Sequence, residues 1–579
     1  MPAPYSFLES ARDRASLHFA LSQPQAGRPW WHLVLHYGPI ASVFLLAITL
    51  TGASFMADTI DYAASVTNFE HGRLYEFWDA GHLLWRPLGW STFHLLRPAT
   101  KLIGGPDDRS NSIVQLISLN IFAGFICVIL FYALLVGFGI RQWIVNIVTT
   151  GFILSNAFLN YVHTGCAYIP GLCAVLLAVY LLALRPQRPA GATGTAMLSG
   201  IVLAIAVCFW LPYILVVPAV LLFPLARGGW GKYQWHRVTT AAIAAAVVAV
   251  LCYGAVIHHL QLNSVTAIRA WVNSASHGVT HTAGISRFVF GFAGSFINMG
   301  DDGPLFKRYL LHDPFNPVSF TDLFRVSLGK LSLFYAVMAE LLLSLWRSGP
   351  GRRLSVLFAI SAIPVLSFGM YWQGGDMERY LPLYPFLFLI VAHALEQLGS
   401  SLQLKLTLLL FLAVMAVSNT LALSRTTLQH QQRALQAELD TFRPHLNRHS
   451  IVLVPPHSKF VAYMRDNPPD ASSTDVRFNE IVEMGKEESP YWRENIASLI
   501  LSIWANGGDV WASTCLFDSR PQLTCGWVEG EDQRVPWSDV YQFFAHLQTD
   551  ERLSGKFVLV LPSSTNREFS SVLSARASK

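Results

Sequence analysis

A polytopic α-helical membrane protein of about eleven segments, with a small C-terminal α/β domain, is the fold class this sequence predicts. Of its 579 residues 53% are hydrophobic and only 13% charged, against about 45–50% and roughly 25% in an ordinary soluble protein. Mean hydropathy is +0.39. Nine stretches with little or no charge are long enough to cross a hydrocarbon core of roughly 30 Å. The basic residues gather in short clusters between those stretches, as cytoplasmic loop ends do, and with a net charge of only +5 they form no nucleic-acid patch.

Residues 1–32 are polar and carry Arg12, Arg14 and Arg28 ahead of the first apolar run. They predict a cytoplasmic segment and a retained first span, not a cleaved signal peptide. The nine spans are 33–55, 113–138, 144–162, 166–184, 238–257, 327–346, 354–372, 380–397 and 405–423. The stretch 196–223 is too long for one upright helix and is interrupted at Trp210, Leu211 and Pro212. Arg185 and Arg188 before it, and Arg227, Lys232 and Arg237 after it, place both flanks in the cytoplasm. It therefore enters and leaves on one side, as two short spans or a re-entrant hairpin. That path puts Arg347, Arg352, Arg353 and Lys405 inside and the C-terminus outside.

The membrane domain, 33–423, then has two long outer loops, 56–112 and 258–326, and the tail 424–579 is extracytoplasmic. The tail opens with a polar helical linker stopped near Pro444. Apolar runs at 451–454, 510–513 and 557–561 alternate with helix-like stretches such as 494–504, the pattern of a small α/β domain. Of seven cysteines, Cys127, Cys166, Cys173, Cys208 and Cys252 lie in or beside apolar spans as packing residues. Cys515 and Cys525 are close in sequence and outside the cytoplasm, and are expected to form a disulfide.

Chemistry concentrates in two outer clusters. Asp58, Asp61 and Tyr62 follow the first span where hydrocarbon gives way to water; on a continuing helix they share a face, and either acid can serve as a base. Further along, Glu70, Glu76 and Asp79 precede His82 and Arg86, which at i,i+4 can face a lipid phosphate among the interfacial Trp78 and Trp85. The second cluster, Asp376 to Tyr384, sets Glu378, Arg379 and Tyr380 at a helix start, where an arginine suits bidentate phosphate binding. Asp301 and Asp302 read as an ordinary turn. His163 is a weaker candidate, and no spaced His/Cys set suggests zinc.

Together these features resemble the membrane-embedded GT-C glycosyltransferases, the superfamily of protein O-mannosyltransferases and lipid A aminoarabinose transferases. Asp61-Tyr62 or Asp58 matches the acid and aromatic that open the family's first outer loop. Arg379-Tyr380-Leu381-Pro382 matches its later Arg-Tyr-x-x-Pro element, and 196–223 its paired short helices. The first loop departs from the family's His-Pro-Pro, having Gly-His-Leu-Leu-Trp-Arg-Pro. The resemblance implies transfer of a sugar from a polyprenyl-phosphate donor to a glycan, lipid or protein acceptor at the outer face of a bacterial inner membrane, with the C-terminal domain in the periplasm. Asp61 or Asp58 would be the base. Arg379, with Glu378, Tyr380, His82, Arg86, Tyr62 and Asp79, would hold the substrates. A divalent cation is the one cofactor the family leaves open. The competing classes are a transporter or flippase of lipid-linked glycans and a non-catalytic assembly subunit. Transporters hide ionisable groups near the bilayer midplane, where this chain offers mainly Lys330 and Glu340, so the outer acids favour an enzyme.

Overall fold

The computed structural model describes residues 31–54, 57–67, 77–104, 107–183, 189–228, 230–275, 285–300, 309, 318–346, 349–372, 374–397, 402–430, 433, 437, 450–454, 477–480, 492–519, 537–553 and 557–577. Its contacts divide the chain into two units: Met1–His277 with Ala283–Gly300 and Phe324–Arg425, and Gly278–Thr282 with Asp301–Leu323 and Thr426–Lys579.

The first unit is helical: α1 (Trp31–Leu50), α2 (Ala57–Thr67), α3 (Trp85–Gly104), α4 (Asp108–Gly137), α5 (Gln142–Ile153), α6 (Asn156–Tyr161), α7 (Tyr168–Ala183), α8 (Pro189–Phe209), α9 (Val217–Gly228), α10 (Lys232–His259), α11 (Val265–Ser274), α12 (Ile285–Phe296), α13 (Gly329–Trp346), α14 (Gly349–Tyr371), α15 (Tyr384–Gln397) and α16 (Leu402–Ala422). Among the described residues six helices are long and apolar enough to cross a membrane, and four shorter apolar helices accompany them. Rows of apolar side chains one helical turn apart stand exposed, such as Ile243, Val247 and Val250 on α10 and Leu402, Leu406 and Leu410 on α16. Water would not tolerate such surfaces, whereas acyl chains cover them. The chain is an integral membrane protein.

Three expected spans are interrupted, each for a local reason. The span 144–162 divides into α5 and α6 at Leu154 and Ser155. The Leu154 carbonyl left over at the break is taken by Asn419 Nδ2 at 2.7 Å, and the same amide also reaches Phe296 O at 2.8 Å. A break inside apolar surroundings survives only where such a side chain restores the lost backbone bonds. The stretch 196–223 breaks where Trp210 adopts an extended backbone (φ −152°, ψ 112°), followed by a 3₁₀ turn over Leu211–Val216. Pro212 accounts for the stop: it has no N–H to continue the helix onto the Cys208 carbonyl, which Leu84 N–H takes at 3.0 Å instead, and at the start of the 3₁₀ turn no donor is needed. The span 380–397 begins as a 3₁₀ helix, Met377–Leu383, because Pro382 again blocks a regular start; α15 follows.

The second unit carries a five-stranded sheet, order β2-β1-β3-β5-β4, from β1 (Ile451–Val454), β2 (Arg477–Glu480), β3 (Val510–Ser513), β4 (Thr549–Leu553) and β5 (Phe557–Val560). β1 runs parallel to β2 and β3, and β5 antiparallel to β3 and β4. α17 (Trp492–Ala505), α18 (Trp537–Ala545) and α19 (Ser564–Ala577) accompany the sheet. Ile451, Leu453, Val510 and Val560 pack with Ile496, Ile500 and Phe544 in one core. The three apolar runs are thus β1, β3 and β5, while the polar β2 and β4 form the two sheet edges, where charge deters stray pairing. Of the expected linker helix, 425–430 is helical.

Candidate active site

A turn at residues 161–168 organises the site. Gly165 donates its N–H to Thr59 Oγ1 and accepts Trp85 Nε1, both at 2.8 Å. Asn120 Nδ2 bonds the carbonyls of Thr164 and Cys166. A Cβ at Gly165 would lie 2.8 Å from both Leu116 Cβ and Thr59 Cγ2, so only glycine lets α2 and α4 close on this turn. The clamp fixes Tyr161 and Tyr168 at its two ends.

Each tyrosine holds one acid. Tyr168 Oη donates to Asp58 Oδ2 at 2.6 Å, and Tyr161 Oη to Glu378 Oε2 at 2.5 Å. Their rings meet edge to face, centroids 5.0 Å apart, and Tyr168 packs on Trp210 at 4.8 Å. The Arg379 guanidinium lies 6.0 Å from the Trp210 ring centroid, 3.7 Å from Glu378 and 3.6 Å from Asp376. Burial pushes the Glu378 carboxyl above its ordinary value, and Arg379 and the Tyr161 hydroxyl only partly offset it. For Arg379 burial opposes the charge, but Glu378 and Asp376 outweigh it, so its pKa is raised and the cation persists.

A second acid anchors the neighbouring loop. Asp79 is 4% exposed. Its Oδ1 accepts the Gly81 N–H at 2.9 Å, and its Oδ2 receives His82 Nδ1 and Arg86 Nη1, each at 3.0 Å. Arg86 lies over the Tyr62 ring at 5.0 Å. The His82 ring is 5.5 Å from Tyr62 and 6.4 Å from Tyr168, which joins this loop to the Asp58 group. Burial raises the Tyr62 phenol, and the Asp58 charge adds to that.

Asp58, Tyr62, Asp79, His82, Arg86, Glu378 and Arg379 therefore come together. Asp61 does not share their face: it is exposed, while Asp58 is half-buried and Tyr62 buried. The helix that carries them turns about 100° per residue, so Asp58 and Tyr62, at i,i+4, share the inward face. Tyr380 is fully buried and donates to Gly374 O at 2.7 Å, which shapes the turn before Arg379. His163 bonds Thr51 Oγ1 at 3.0 Å, and burial together with Arg425 pushes it down to about 4. Tyr161 and Tyr168 were not singled out in the sequence, and Trp210 was named only as a break in 196–223. Their signal lay in the turn NYVHTGCAY and at the interruption of 196–223. Glu70, Glu76, Asp301, Asp302 and Cys525 lie outside the described residues.

Among the described residues no group of three His, Cys, Asp or Glu side chains is placed to hold a metal. The described acids of the site are bonded by tyrosine, histidine and arginine: Asp58 by Tyr168, Glu378 by Tyr161, and Asp79 by His82 and Arg86. Asp58 and Arg379 are linked through two rings: Asp58 bonds the Tyr168 hydroxyl, Tyr168 packs on Trp210, and the Arg379 guanidinium lies near the Trp210 ring.

No family model and no curated protein matches the chain. Among solved structures it is similar to ArnT from Cupriavidus metallidurans bound to undecaprenyl phosphate, at 11% identity over 93% of this chain and 99% of that one, TM-score 0.47. It is also similar to the archaeal oligosaccharyltransferase AglB from Archaeoglobus fulgidus in complex with an inhibitory peptide and a dolichol-phosphate, at 12% identity over 94% and 78%, TM-score 0.44.

Proposed function

We propose that this chain is a membrane glycosyltransferase of the GT-C type, moving a sugar from a polyprenyl-phosphate donor to a hydroxyl acceptor at the outer face of the membrane. The observation that carries the reading is the convergence of Asp58, held by Tyr168, with Arg379, stacked near Trp210. Asp58 takes the acceptor proton as the hydroxyl attacks the anomeric carbon. Arg379, with Arg86 and His82 as further candidates, binds the prenyl phosphate and offsets the charge that grows on it as the anomeric bond breaks. Asp61 lies three residues from Asp58 and is the competing base.

The topology follows the charge pattern, with the N-terminus in the cytoplasm and the second unit in the periplasm of a bacterial inner membrane. Cys515, in that unit, is disulfide-bonded, which suits an oxidising compartment; Cys525 is the proposed partner. Purified protein incubated with a panel of polyprenyl-phosphate sugars, with products read by mass spectrometry, tests the activity. Transfer of a sugar to an acceptor supports it, and failure with every donor in a folded protein sinks it.

A further inference from the structure

His82 has one nitrogen committed and one open. Its Nδ1 is bound to Asp79 Oδ2, a carboxylate oxygen that only accepts, so the proton sits on Nδ1. Its Nε2 is buried and has no hydrogen-bond partner, on a residue 8% exposed. Buried polar atoms are almost always bonded, and an orphan at a substrate site marks a place a ligand atom fills. The groups around it are Asp79 and Arg86 on its own loop, Tyr62 from α2, Tyr168 from α7 and the Tyr253 hydroxyl of α10, which bonds Ala80 O at 3.0 Å. Tyr168 links this loop to the rest of the site: its ring is 6.4 Å from His82, its hydroxyl bonds Asp58, and it packs on Trp210, near which Arg379 lies.

We propose that His82 is the catalytic acid that protonates the departing prenyl phosphate, with Asp79 as its positioning residue. This rests on the glycosyltransferase reading and adds a second proton-handling group to it. As the bond between the anomeric carbon and the phosphate oxygen breaks, its electron pair stays on that oxygen and the Nε2 proton of the imidazolium moves to the phosphate. The acceptor oxygen bonds the anomeric carbon and its proton goes to Asp58. The products are the glycosylated acceptor, a prenyl phosphate monoanion, protonated Asp58 and neutral His82. Solvent then removes the proton from Asp58 and returns one to His82. A phosphate monoester takes its second proton near pH 6, so the departing oxygen is basic enough to accept a proton from a positioned acid as the bond breaks.

The test is kcat and KM for a polyprenyl-phosphate donor, measured across the pH range with the full-length protein in lipid or detergent. His82→Gln should lower kcat by about 10²-fold or more with little change in KM, and should lose the alkaline limb of the pH profile. Asp79→Asn should lower kcat and shift that same limb, which a purely structural role would not do. Added imidazole should restore turnover to His82→Gly, a readout that survives partial destabilisation of the other variants. A His82→Gln enzyme that keeps wild-type kcat and both limbs, or a His82→Gly enzyme indifferent to imidazole, overturns the inference while leaving the transferase reading intact. No transfer by the wild-type protein overturns both.

Discussion

The Tyr168 hydroxyl bonds Asp58 Oδ2 at 2.6 Å across 110 residues of sequence. Tyr168 opens α7 and Asp58 lies in the first turn of α2, so this one bond ties an outer-loop acid to the rigid helical unit. It occupies one carboxylate oxygen, Oδ2, and not the other. The bond is charge-assisted, about twice as strong as a neutral one, and it replaces hydration that a half-buried acid has lost.

Asp58→Asn should keep donor binding and lower turnover by about 10²-fold or more, because the amide preserves shape but cannot take a proton. Asp61→Asn, on the exposed face of the same helix, should leave turnover within a few-fold of wild type. Steady-state rates of both variants at saturating donor decide the matter. The opposite ranking would transfer the base to Asp61.

Tyr168→Phe tests the restraint separately from the base. The carboxylate remains but loses its fixed orientation, so kcat should fall by about 10-fold, the scale of one hydrogen bond to a charged group. KM for the donor should hardly move. A loss as large as that of Asp58→Asn would mean that Tyr168 handles a proton itself.

Arg379→Ala should weaken donor binding by about 10- to 100-fold, since a charge-assisted contact to phosphate exists already in the ground state. The protein should still fold. Burial already raises the Glu378 carboxyl, and once Arg379 is gone that group accepts a proton instead of standing as a lone buried charge. Binding of a fluorescent prenyl phosphate to the variant, alongside its melting curve, separates the two effects.

The helices were legible because hydrophobic length and charge placement obey the bilayer, and the two acid-rich stretches that the fold brings together stand out against apolar spans. The breaks at Leu154 and Ser155 were not legible, because the residue that makes them tolerable, Asn419, lies 265 positions away. That Asp58 and not Asp61 turns inward was not legible for the same reason: its partner, Tyr168, sits in a turn whose sequence drew notice only for His163. Strands β2 and β4 escaped because edge strands carry charge in place of the apolar alternation that announces a strand.

His163 should make the protein acid-sensitive. Its folded pKa, about 4, lies below the ordinary histidine value of 6.5, so the unfolded chain binds the proton more readily. The stabilisation is fully present above 6.5 and is lost as pH falls through that value toward about 4. The shift corresponds to about 3 kcal/mol. Melting temperatures measured from neutral to acid pH should fall less steeply in His163→Gln than in the wild-type protein. Identical slopes would show that this histidine does not titrate on unfolding.

The last prediction concerns the second unit. If it lies outside the cytoplasm, Cys515 and Cys525 should resist alkylation in denatured, non-reduced protein and react after reduction. A reporter active only in the cytoplasm, fused after Lys579, should be silent for the same reason. The two measurements fail differently. Free thiols with a silent reporter would remove the bond and keep the topology, whereas a bright reporter would invert every segment after 196–223 and move the Arg347, Arg352 and Arg353 cluster to the outer side. That inversion would also part α14 from the charge rule that orients it, and Arg379, which follows α14 in the chain, would then face the cytoplasm. An outer-face donor site would be untenable in that arrangement, so the reporter result bears on the proposed chemistry as directly as any substitution within it.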